Sequence, residues 1–127
     1  MRTVVLTLPW PPSVNRIWRA SNDRIILSQP ARRYHKAAAN ALSPGKVETL
    51  RGRLAVRVVL HPPFSLGVGT RWDIMNREKC MCDALTKQRV WLDDSQIDDF
   101  HALRGVPKGK GCAVLTIEEI AIDAGPL

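Results

Sequence analysis

Three prolines within four residues, Pro9, Pro11 and Pro12, constrain this chain more tightly than any other feature of its sequence. Each fixes φ and removes a backbone donor, so the segment can neither continue a helix nor pair inside a sheet. The β-branched and apolar run Thr3 to Leu8 (TVVLTL) therefore reads as a strand that stops at Pro9. A stiff extended loop follows, Pro9 to Arg16 (PWPPSVNR).

The rest of the chain divides by the same logic. Arg24 to Leu27 has the make-up of a short strand. Gln29-Pro30 leads into an alanine-rich helix, about Ala31 to Leu42, ending near Ser43-Pro44-Gly45 and carrying a basic face of Arg32, Arg33 and Lys36. Leu54 to Leu60 (LAVRVVL) is a strand halted by Pro62-Pro63, and Phe64 to Thr70 a glycine-bearing loop. A second helix is expected from about Ile74 to Arg89, with Ile74, Met81 and Leu85 as its apolar stripe. Gln96 to Val106 and Ala113 to Ile120 read as closing strands joined by the turn Pro107-Lys108-Gly109-Lys110-Gly111. Strands and helices do not alternate strictly, so the expected fold is α+β: one small domain over residues 1–127, a mixed β-sheet packed with two main helices.

A length of 127 residues suits one domain with a real core. No apolar run approaches the roughly 20 residues that span a bilayer, and the first residues lack the pattern of a secretion signal. Cys80, Cys82 and Cys112 are an odd number with poor zinc spacing, which favours buried thiols in a reducing cytoplasm.

The net charge of +7 is unevenly spread. Residues 1–72 hold 12 basic and two acidic side chains, a balance of +10; residues 73–127 hold seven basic and ten acidic, a balance of −3. Seven of those acids lie between Asp73 and Asp99. A basic surface feeding an acidic cluster suits an enzyme that grips polyphosphate and gathers carboxylates around a divalent metal. A merely uneven solvated surface would give the same totals.

The stretch Arg71 to Phe100 narrows the choice. Asp73 stands where a carboxylate either caps the expected helix or faces a metal. Asp93 and Asp94 form an adjacent pair in a connection, either a solvated turn or part of a hard-oxygen site for Mg²⁺. Lys79 is either a surface lysine or a counter-charge for phosphate, and Asp83 can pair with Lys79 or Lys87. Trp10, Trp18, Trp72 and Trp91 are core or interface candidates, with Trp72 beside Asp73.

LPWPPSVNR near the start, Asp73 with Asn76 and Lys79, then CDALTK and WLDDSQ, resemble the RusA-type Holliday junction resolvases, in order from Leu8 to Glu118. The resemblance implies a Mg²⁺-dependent homodimer (Mn²⁺ substituting) that binds four-way DNA junctions and nicks two opposed strands symmetrically, in the cytoplasm of a bacterium or phage-infected cell. It implies catalytic Asp73, Lys79 and Asp94. Asp73 and Asp94 would be metal ligands, with Asp93 a second ligand, an orienter of waters or a turn residue. Asn15, Arg16, Arg71, Asn76, Lys108 and Lys110 would contact DNA, mainly its phosphates. Where the family pattern has a second Asp, this chain has Met75. A thioether does not replace a carboxylate on Mg²⁺. Either Met75 packs in the core and the site is degraded, or Glu78 or Asp93 compensates. An active junction endonuclease, a junction-binding architectural protein with weakened cleavage, and a broader nuclease for forks or flaps are the three readings that follow.

Overall fold

Alternation builds the sheet. In the computed structural model, which describes residues 2–13, 18–21, 24–43, 48–66 and 72–121, six strands and two helices run in the order β1 (Thr3–Pro9), β2 (Trp18–Ser21), β3 (Arg24–Leu27), α1 (Gln29–Leu42), β4 (Arg53–His61), α2 (Glu78–Lys87), β5 (Ile97–Arg104) and β6 (Cys112–Ala121). Along β4, Leu54, Val56, Val58 and Leu60 are buried, while Arg57 between them is exposed. The registers Val4↔Ile117, Leu6↔Leu115 and Leu8↔Ala113 bring β1 into line with β6 on that same face. Val56↔Ile117 and Val58↔Leu115 do so for β4.

The four-stranded sheet has the order β1-β6-β4-β5. β6 runs antiparallel to both β1 and β4, and β5 runs parallel to β4. Parallel neighbours need a crossover, and here α2 lies in it. α1 contributes Ala31, Tyr34 and Ala38 to the core; α2 contributes Cys80, Met81, Cys82, Ala84 and Leu85. Both helices thus cover the face built from Leu8, Leu54, Val56, Leu115 and Ile117. The opposite face carries the exposed Val5 and Leu103. This is the expected α+β fold with a mixed sheet and two helices. β2 and β3 form a separate antiparallel pair; the first of them falls just past the proline loop and was not expected.

The structure corrects the second helix and resolves three further points. The second helix spans Glu78–Lys87, not 74–89. Residues Ile74–Asn76 form a separate 3-10 turn before it, so Asp73 precedes that turn rather than the helix. At the other end, Arg89 takes a left-handed conformation (φ 60°) while Val90 donates its N–H back to the carbonyl of Leu85 at 3.0 Å, which closes the helix early. The two closing strands joined by the lysine turn are not neighbours, because β4 lies between them. And Met75 is not a core residue: it is 82% exposed. α1 begins two residues earlier than its alanine run, since Ser28 caps it by accepting the Ala31 N–H at 3.3 Å.

Candidate active site

The acid-bearing segments are two 3-10 turns on either side of α2. The turn Asp94–Gln96 leads directly into β5. Asp93 takes the capping position, its carboxylate accepting the Ser95 N–H at 3.0 Å. The Ser95 hydroxyl first, and then that N–H, hold the Asp93 carboxyl below its ordinary value. Gln96 completes the reciprocal cap: its Oε1 accepts the N–H groups of Leu92 and Asp93 at 2.8 and 2.9 Å. Its amide nitrogen donates to the carbonyls of Leu50 and Gly52 at 3.0 and 2.9 Å. Gln96 is fully buried, and these four bonds satisfy its donor and acceptor groups. The turn is fixed from beneath, with Asp93 occupied by the cap and Asp94 left exposed on top.

Asp94 faces α2. Lys79 is held charged chiefly by its hydrogen bond to Asp83 (3.2 Å), with Asp94 adding a weaker push in the same direction. Burial first, then the negative charges of Asp94, Glu78 and Asp83, push the Cys82 thiol up to about 12. The structure therefore brings Lys79, Asp83, Asp94 and Glu78 to one side of α2, and settles that Asp83 pairs with Lys79 rather than Lys87. Cys80 and Cys82 are buried free thiols, as expected, and Cys112 is half-buried.

Asp73 lies elsewhere. Its side chain makes no capping hydrogen bond to the turn Ile74–Asn76. With Ile74, Met75 and Arg104 it lines an open pocket of about 530 Å³ beside the last residue of β5. Arg104 donates to the Trp72 carbonyl at 2.6 Å and lies 4.2 Å above the Trp72 ring. Trp72 in turn meets Trp10 edge to face at 5.1 Å. Asp73 thus neighbours the last residue of β5, whereas Asp94 lies three residues before its first. Among the described residues no group of three or more His, Cys, Asp or Glu side chains is placed to hold one ion. The described residues do not form a preformed three-carboxylate cage. Mg²⁺ commonly binds through one or two carboxylates, waters and substrate phosphates. The exposed hard-oxygen groups of Asp94 and Asp73 fit that mode.

Lys108 and Lys110 are exposed on the turn after β5. Gly109 (φ 47°) and Gly111 (φ 86°) supply its left-handed positions, and the Lys108 N–H donates to the Pro62 carbonyl at 3.0 Å. Asn15, Arg16 and Arg71 lie outside the described residues, and of Asn76 only the backbone is described. Sequence reasoning missed Gln96, placing it simply at the head of a strand. The signal was present: Asp93-x-x-Gln96 has the spacing of a capping box. Arg104 carried no comparable local signal, because its partner Trp72 is 32 positions away.

A family model of endodeoxyribonuclease RusA matches residues 9–118. Proteins named crossover junction endodeoxyribonuclease RusA from Escherichia coli K12, Enterobacteria phage 82 and Shigella sonnei are each 34% identical over 122 residues, covering 94% of this chain and 98% of theirs.

Proposed function

This chain belongs to the RusA family of endodeoxyribonucleases, and from that premise we propose that it resolves four-way DNA junctions by divalent-metal-dependent hydrolysis of opposed phosphodiesters. The observation that carries the reading is Asp94: an exposed carboxylate on a turn anchored by a buried glutamine, with the Lys79 ammonium close enough to feel its charge. Asp94 would hold Mg²⁺ or Mn²⁺ with waters and substrate phosphate; Asp73, which adjoins the other end of β5, would share that ion only if the two turns approach in the DNA complex. Such an ion supplies Lewis-acid activation of water and phosphodiester. Lys79, kept protonated by Asp83 at neutral pH, offsets negative charge on the phosphate. Asp93, committed to the Ser95 N–H, is a positioning residue for its neighbour. Glu78, half-buried at the start of α2 and acting on the same thiol as Asp94, makes up only in part for the family carboxylate absent at Met75.

The exposed lysines of the 107–111 turn and the arginines and lysine of α1 hold DNA phosphates, so junction affinity falls with added salt. A homodimer presents two copies of the site to a twofold junction. No helix among the described residues is long and apolar enough to cross a membrane. A cytoplasmic setting fits the free thiols.

The test is a labelled synthetic four-way junction against linear duplex of the same sequence, with Mg²⁺ or Mn²⁺. Paired nicks in opposed strands of the junction, and none in the duplex, are expected. Tight junction binding without product in either metal would favour the architectural reading. Met75, exposed beside Asp73 with no carboxylate, is the observation behind that second reading.

A further inference from the structure

Phe64 is the one aromatic among the exposed large hydrophobic side chains of the described residues, and it is 67% exposed. A single exposed apolar side chain needs no explanation; the setting of this one does. It leads the 3-10 turn Phe64–Leu66, directly after Pro62-Pro63, which fix φ on the way in. Its N–H donates to the Gly109 carbonyl at 3.0 Å, and the Lys108 N–H donates back to the Pro62 carbonyl at 3.0 Å. The Phe64 backbone is thus zipped to the turn that carries Lys108 and Lys110. Close packing holds the same turn: a Cβ added at Gly111 would lie 2.8 Å from Pro63 and 2.9 Å from Trp10.

Charge sets this place apart. No Asp or Glu lies between Glu48 and Asp73, and none between Asp99 and Glu118. Both segments that meet here are therefore free of acids. Lys108 and Lys110 are exposed, and among the described residues neither has an ion-pair partner. A fixed, exposed ring beside uncompensated cations has the composition of a surface that grips nucleic acid by phosphate charge and base stacking together. A second copy of the chain fits it less well. A twofold contact centred on Phe64 sets the patch against itself and brings two acid-free lysine turns together, which is repulsive.

We propose that Phe64 stacks on a base-pair face laid open at the branch point of the junction, while Lys108 and Lys110 hold phosphates of the same arm. The inference rests on the junction-nuclease reading and adds to it a contact that senses branching rather than phosphate charge. In a linear duplex each base pair is covered by a neighbour on both sides. Where four arms diverge, the innermost pair of an arm can lose one neighbour and present an apolar face. Phe64 covers such a face whatever the sequence, since every base has a π-surface. Its backbone is already fixed, so little ordering is lost on binding. Position agrees as well. The lysine turn follows Arg104, the last residue of β5, which lines the pocket beside Asp73. Trp10, against which Gly111 packs, meets Trp72, the neighbour of Asp73. A ring anchored at the branch would therefore set the strand leaving it toward the Asp73 end of the site.

The experiment titrates wild type, Phe64→Ala, Phe64→Trp and Lys108→Ala, by fluorescence anisotropy at fixed salt, with a four-way junction and a linear duplex whose ends are all closed by hairpin loops. Phe64→Ala should weaken junction binding about tenfold, the scale of one lost stacking contact, and leave duplex affinity unchanged. Phe64→Trp should keep junction affinity. Lys108→Ala should instead weaken both DNAs alike and lower the salt slope by about 1. Because the ring is exposed, Phe64→Ala should melt with wild type, which separates lost recognition from lost folding. An equal Phe64→Ala loss on junction and duplex, or no loss on the junction, would overturn the inference and leave the junction-nuclease reading standing. A Phe64→Ala protein that sediments as a smaller species than wild type would overturn it in favour of a subunit contact. A wild type that does not prefer junction over duplex would remove both.

Discussion

The two acid-bearing turns have the same length and the same leading residue type, yet they are held in opposite ways. Asp93 caps its own turn, and Gln96 ties that turn to the backbone of Leu50 and Gly52. Asp73 makes no cap, and its turn is held from outside by Arg104 on the Trp72 carbonyl and by Trp72 against Trp10. In the first turn one aspartate is used for structure so that its neighbour can be presented in a fixed place. In the second, position depends on Arg104, on Trp72 and, through Trp72, on Trp10. Rigidity near Asp94 is therefore local, while rigidity near Asp73 is borrowed from the surface proposed to hold DNA. In the proposed mechanism, the Asp94 end of the site would be set before substrate arrives and the Asp73 end would follow binding.

The largest way to break this contrast is Gln96→Leu. It strands buried backbone donors and acceptors at four points, and a loss of roughly 3 kcal/mol or more is expected in urea unfolding. A loss below ~1 kcal/mol would mean the anchor is not what fixes the turn. Next is Met75→Asp, which restores a carboxylate at an exposed position and removes nothing from the core. Single-turnover cleavage should rise roughly tenfold, about 1.4 kcal/mol of barrier; an unchanged rate would show that Glu78 already fills the role. A smaller effect separates the two leading aspartates. Asp93→Ala should lower the melting temperature measurably through loss of the cap, a loss that Asp73→Ala, at a position that makes no cap, does not share. The smallest is in pH. Asp93 has its carboxyl held below the ordinary 3.8, so its contribution is present above that value and is lost as pH falls through the folded-state value. The melting-temperature gap between wild type and Asp93→Ala should hold at neutral pH and close below about pH 4.

How much of this the sequence made legible follows from the range of each interaction. The strands were readable because alternation and proline stops are local, and β4 extends only one residue beyond LAVRVVL at each end. The second helix was overextended because Ile74, Met81 and Leu85 keep helical spacing across a break. Ile74 reaches the core from a 3-10 turn, and Arg89 closes the helix with a left-handed residue that composition does not advertise. Met75 looked apolar and therefore inward, yet the turn that carries it points it to solvent. The acids could be picked out by residue type, and the structure puts Asp94 near Lys79. What pattern reading could not supply was the separation of Asp73 from Asp94, since that depends on which end of β5 each adjoins. The setting of Phe64 likewise joins two distant segments, Pro62 to Phe64 and Lys108 to Gly111, and has no local signature.

The most direct measurement compares Asp94→Asn with Asp93→Asn in single-turnover cleavage of a four-way junction at saturating Mg²⁺, with junction affinity measured in parallel. The account predicts that Asp94→Asn binds the junction as well as wild type and cleaves it at least about a hundredfold more slowly, ~2.7 kcal/mol of lost stabilisation. Asp93→Asn, whose amide oxygen can still accept the Ser95 N–H, should keep most of the rate. Cleavage that survives in Asp94→Asn, or collapses only in Asp93→Asn, would contradict the assignment of Asp94 as the reactive carboxylate and Asp93 as its support.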